Sequence, residues 1–93
     1  MIQLIKVNGA ITNFDFEGKY PSLTEMQEAV GDNIQMVAMS KKGLCPKYLI
    51  CNEEGKLNNL EINMTATSFW EEFYGETDII VGDILIADIE DIE

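Results

Sequence analysis

Turn signals interrupt this sequence so often that no element between them can be long. Asn8-Gly9, Glu17-Gly18-Lys19, Gly31, Lys41-Lys42-Gly43, Glu53-Glu54-Gly55-Lys56 and Gly75 divide the 93 residues into short apolar segments. No segment approaches the roughly 18 consecutive apolar residues of a membrane span. No fixed period marks a repeat array, and the sequence holds only two prolines. An apolar fraction of 46% against 25% charged residues is ordinary globular usage, so a disordered chain is excluded as well.

The segments read as strands and two helices. Ile2 to Val7 alternates as a first strand, Asn8-Gly9 is a strong hairpin signal, and Ala10 to Phe16 returns. Ser22-Leu23-Thr24-Glu25 has the form of a capping box, in which the hydroxyl and the carboxylate each accept from the other residue's backbone amide. Leu23, Met26, Ala29 and Val30 then recur at helical spacing, and Gly31 suits a left-handed cap. Such a helix is only about 13 Å long at ~1.5 Å per residue, so it depends on packing against a sheet. Asn33 to Met39 and Tyr48 to Asn52 read as a third and a fourth strand, and Leu57 to Ile62 carries a weaker strand pattern. A second helix is expected from Thr65 to Tyr74, capped by Asn63 or Thr65, with Phe69, Trp70, Phe73 and Tyr74 as an aromatic stripe suited to a core. Asp78 to Ala87 reads as the last strand. The predicted fold is one α+β domain over residues 1–93: a mainly antiparallel sheet of about five strands with two short helices packed on it, and an acidic, flexible tail over residues 88–93.

The inventory of side chains removes several function classes. There is no His, and all six basic residues are Lys. The commonest general base and the bidentate clamp for phosphate are therefore both missing. No Ser-His-Asp or Cys-His arrangement can form within the chain, and two cysteines without His are too few for a structural zinc site. Pairs such as Glu53-Glu54 and Glu90-Asp91 lack EF-hand spacing, so no metal site and no cofactor are expected. If the chain is extended between Cys45 and Cys51, they lie roughly 20 Å apart at ~3.3 Å per residue, too far for a disulfide. Two free thiols, with no signal sequence at the start, predict a cytoplasmic protein.

With 17 acidic residues, the net charge is −11, which opposes direct binding of nucleic acid or of an anionic membrane. The imbalance is confined to one half. Met1 to Ile50 holds five acidic and five basic residues, whereas Cys51 to Glu93 holds twelve acidic residues and only Lys56. Glu71, Glu72 and Glu76 fall at the C-terminal end of the second helix, where each exposed negative charge opposes the helix dipole by ~0.3–1 kcal/mol. With Asp78, Glu90 and Asp91 they form a candidate surface for a basic protein partner; the competing account is a surface that only confers solubility.

A second set of candidates is Asn63, Thr65, Thr67 and Ser68, near a helix start whose free amides could receive an anion, although helix capping explains the same residues. Gly82 and Asp83 are open to two placements. Strand alternation would put Asp83 among Ile79, Val81 and Leu85; a bulge at Gly82 would turn it outward.

Three stretches together resemble a family of small proteins of unknown function found in phages, plasmids and other mobile elements. They are LTEMQEAVG over Leu23–Gly31, NEEGKLNNL followed by IN and TAT over Asn52–Thr67, and DIIVGDILI over Asp78–Ile86. One departure is Leu60-Glu61-Ile62-Asn63, where a Leu-Pro-x-Asn step would be expected. The resemblance implies a phage-type accessory protein, brings no catalytic residue with it, and places Asn63, Thr65, Ala66, Thr67, Gly82 and Asp83 in recurrent stretches where a shared pocket would lie.

Three functions can be weighed against these features. The first, and favoured, is a non-catalytic protein that inhibits a host defence system by docking its acidic C-terminal half on a basic protein surface. The second is a sponge that sequesters a nucleotide immune signal, with Lys41, Lys42 and Lys47 supplying local positive charge, for instance at a subunit interface. The third is an enzyme, for which no motif unites the available carboxylate, Lys, Tyr and Cys groups. Ile89 and Ile92, expected to be exposed, add a homo-oligomer as a further expectation.

Overall fold

The computed structural model describes residues 1–92; Glu93, counted above in the acidic tail, lies outside them. Strands β1 (Gln3–Ile5) and β2 (Ile11–Asn13) form the first hairpin, helix α1 (Leu23–Val30) follows, and β3 (Ile34–Lys41) and β4 (Leu44–Asn52) form a second hairpin. Helix α2 (Met64–Tyr74), strand β5 (Ile84–Asp88) and a 3-10 turn over Ile89–Asp91 complete the described chain. The five strands make one sheet in the order β2-β1-β5-β4-β3, with every neighbouring pair antiparallel. This is the α+β fold expected from the sequence.

The last strand is the central one. β5 pairs with β1 on one side, Leu4 opposite Leu85, and with β4 on the other, Leu49 opposite Ile86. It thereby joins two hairpins that are each local in sequence. The helices lie on opposite faces of the sheet. Met26 and Val30 of α1 pack with Ile2, Ile50, Leu85 and Ala87, whereas Ala66 and Phe73 of α2 pack with Ile5, Leu49, Ile84 and Ile86. Successive strand residues point to opposite faces, so a strand covered on both sides must be apolar at every position. The run Ile84-Leu85-Ile86-Ala87 is buried throughout.

Local rules explain the ends of the elements. Ser22 and Glu25 make the reciprocal capping box, and Gly31 closes α1 in the left-handed region at φ 94°. The first hairpin closes through Gly9, whose amide donates to the Lys6 carbonyl at 2.9 Å. Its strands are shorter than the expected Ile2–Val7 and Ala10–Phe16: after the Phe14 amide bonds the Ile2 carbonyl, the chain leaves the sheet and Phe14 and Phe16 pack into the α1-side core.

Three further expectations are corrected. β4 begins at Leu44, not Tyr48, so both cysteines lie on one strand, and both are free. Pro46 is accommodated beside the register shift between Met39 and Lys41, an irregularity that tolerates a missing ladder donor. β5 begins at Ile84 rather than Asp78. Upstream of it only Val81 makes a bridge, to Ile62, and Gly82 turns the chain at φ 75°. Asp83 therefore precedes the strand instead of sharing an apolar face, and its carboxylate accepts from the Val7 amide at 3.0 Å. Finally, Ile89 and Ile92 are half-buried, and Ile92 packs against the α1-side core.

Residues 88–92 are tied down rather than free. Asp88 pairs with Lys47, and Asp91 accepts from the Met1 ammonium group at 2.7 Å. Among the described residues no helix is long and apolar enough to cross a membrane.

Candidate functional site

The polar run before and within α2 is committed to holding the chain together. Asn63 is wholly buried. Its Oδ1 accepts from the Ala66 amide at 3.0 Å, capping α2, while its Nδ2 donates to the carbonyls of Ile5 at 3.0 Å and Gly82 at 2.9 Å. Thr67 Oγ1 accepts from the Ile80 amide at 3.0 Å. Gly82 is buried under Leu60, where an added Cβ would lie 2.8 Å from Leu60 Cδ1. Thr65 is half-buried and Ser68 exposed. Of the positions suggested for a ligand, Asn63, Thr67 and Asp83 thus spend their polar atoms on the backbone of other segments.

A concave surface lies instead along the flank of α2. The turn after α2 runs back past the helix, and the Glu53–Asn59 turns come up beside it from the end of β4. Between them is an open groove of about 710 Å³ bordered by Lys56, Ile62, Glu71, Glu76, Asp78 and Ile79. A more enclosed pocket of about 360 Å³ adjoins it, shares Lys56, Asp78, Ile79 and Val81, and is floored by Val37, Leu49, Cys51 and Trp70. Trp70 is steadied from both sides: its indole N–H donates to Thr77 Oγ1 at 3.0 Å, and its ring lies 4.6 Å from that of Tyr74, centroid to centroid.

Apolar side chains stand exposed around this surface. Leu57, Ile62 and Ile79 keep 83%, 51% and 48% of their area open to solvent. Charge is distributed on its rim. Lys56 forms an ion pair with Asp78, and that ammonium group, followed by the Ile79 amide, holds the Asp78 carboxyl below the usual carboxylate range. Burial pushes the Cys51 thiol above its ordinary pKa, so at neutral pH it is a protonated apolar group in the pocket wall and no nucleophile. Among the described residues no cluster of three or more Cys, Asp or Glu side chains could hold a metal ion.

The candidate partner surface is divided by the fold. Glu71, Glu76 and Asp78 border the groove together. Glu72, on the same helix, is exposed but does not border it. Glu90 and Asp91 belong to the turn after β5, where Asp91 is engaged by the chain's own amino group. Sequence reading missed Lys56, Leu57, Ile62, Trp70 and Ile79 as parts of one surface. The available signal is apolar residues standing in or beside polar turns, Leu57 after Lys56 and Ile79 after Asp78, in segments that read as strands.

Residues 3–93 match the family described as a domain of unknown function, DUF3846. The chain belongs to the DUF3846 family. No curated protein and no solved structure matches it. DUF3846 membership agrees with the resemblance to a family of unknown function and extends it over nearly the whole chain.

Proposed function

We propose that this DUF3846 chain is a non-catalytic accessory protein that binds a basic protein surface through the groove beside α2. In the mobile-element setting implied by the resemblance, the partner is a component of a host defence system, which the chain inhibits. The observation that carries this reading is the combination in one groove of Glu71, Glu76 and Asp78 with the exposed Ile62 and Ile79. Carboxylates attract and orient a basic surface, while exposed apolar groups supply the burial that long-range charge does not. The groove also lies in the half of the sequence that carries the whole charge imbalance.

Affinity capture from host lysate at two salt concentrations tests this. Wild type and Glu90→Lys, whose charge lies outside the groove, should retain the same basic protein at low salt. Reversal of both Glu71 and Glu76 to Lys should weaken retention by roughly tenfold or more, as should high salt. Retention indifferent to the double reversal would exclude this surface.

A second reading, sequestration of a nucleotide signal, is favoured by the pocket over Cys51, which offers an aromatic edge at Trp70 and an ammonium group at Lys56. Thermal unfolding against mono-, di- and cyclic nucleotides separates the two. A ligand at about a hundred times its Kd would add about 2.7 kcal/mol of stability, and that gain should vanish in Trp70→Ala.

A further inference from the structure

The sheet ends on one side at β2, three residues long, and on the other at β3, eight residues long. Short edge strands are poor templates for pairing with another chain; long ones need protection by charge, proline or a bulge. β3 has none of these over Ile34–Met39. Its register shows which backbone groups are free. The Glu53 amide donates to the Asn33 carbonyl at 2.9 Å, while Ile34 lies opposite Asn52, so the odd-numbered residues of β3 bond to β4 and the even-numbered ones point away from the sheet. The Tyr74 hydroxyl covers the far end of that outer row, accepting from the Ser40 amide at 3.1 Å and donating to the Ala38 carbonyl at 3.5 Å. Ile34 and Met36 keep outward amides and carbonyls, and Met36 is 38% exposed.

The charge pattern identifies what can approach this edge. Asn33 to Asn52 contains no acidic residue and three lysines, Lys41, Lys42 and Lys47, so the β3–β4 hairpin of this chain of net charge −11 sets no carboxylate of its own against a copy of itself. Asp32 precedes β3 and Lys41-Lys42 end it. In antiparallel self-pairing, the Asp32 end of each copy lies toward the Lys41-Lys42 end of the other; parallel pairing would set like charges together. Antiparallel pairing of identical strands is also self-complementary, the requirement of a two-fold dimer.

We propose that β3 pairs with β3 of a second copy across a two-fold axis, through the outward backbone groups of Ile34 and Met36, joining two five-stranded sheets into one. The inference does not rest on the groove beside α2, although the pocket adjoining that groove reaches β3 at Gln35 and Val37.

The full chain tests it by sedimentation equilibrium together with amide hydrogen exchange followed by NMR. Wild type should form a dimer as concentration rises, and the Ile34 and Met36 amides should become protected in step with it. Met36→Lys keeps every backbone donor and puts a charge on the edge; Met36→Pro removes one outward donor that β4 does not use. Both should weaken self-association at least tenfold, and Met36→Lys, checked by its melting curve, serves alone if the proline variant does not fold. A wild type monomeric up to its solubility limit, a dimer whose Ile34 and Met36 amides exchange freely, or a folded Met36→Lys that dimerises as wild type would each overturn the proposal.

Discussion

Asn63 binds three segments at one point. Its amide joins the end of β1 to the turn at Gly82, and its carbonyl oxygen begins α2. Only a side chain that both donates and accepts can do this, and Asn does so with two rotatable bonds and no net charge to desolvate. Asn63→Asp preserves the shape and the cap but replaces the donor by an acceptor, so that the Ile5 and Gly82 carbonyls meet an oxygen. Each buried carbonyl left without its donor costs about 1–3 kcal/mol. Urea unfolding at neutral pH should show a loss of several kcal/mol with the m-value unchanged. A variant as stable as wild type would mean that these bonds are dispensable and would return Asn63 to the list of ligand contacts.

The end of β5 and the 3-10 turn after it form an element whose order depends on charge. The Asp91 carboxyl is held below its ordinary value of 3.8, first by the hydrogen bond from the Met1 ammonium group; that ammonium group is raised above its ordinary 8.0, first by the same bond. The two signs define a window. A lowered carboxyl stabilises the folded turn above 3.8 and loses that contribution as pH falls through its lower folded value. A raised ammonium group stabilises it below 8.0 and loses that contribution as pH rises through its higher folded value. The methyl resonances of Ile92, which packs against the α1-side core, should therefore hold constant between these limits and move at both ends. Constancy across the alkaline limit would show that the amino group does not anchor the turn. The same ion pairs explain why an acidic run that reads as a loose tail is held: Lys47 and the chain's amino group supply the only cations bonded to it among the described residues.

Across the whole molecule, the parts decided by neighbouring residues were legible and the parts decided by distant ones were not. The capping box at Ser22 and Glu25, the left-handed Gly31 and the Asn8-Gly9 hairpin needed only a few adjacent residues, and all three are where the sequence puts them. The class of fold followed from the same local signals, because short segments with mixed periods can bury their apolar faces only by layering helices on a sheet. What the sequence by itself left open was how far each strand runs and which side of the sheet each helix covers. The Asp78–Ala87 run alternates like one strand, yet Asn63, Thr67 and Leu60 claim the backbone of Ile80 and the space at Gly82, and β5 starts only at Ile84. The groove was illegible for the same reason: Lys56, Trp70 and Ile79 share a wall only because β5 threads between β1 and β4 and α2 lies across the face this creates. Backbone conformation is set by atoms a few bonds away and is written in consecutive letters. Burial and proximity are set by which distant segments exclude water from one another, and only the packed tertiary structure decides that.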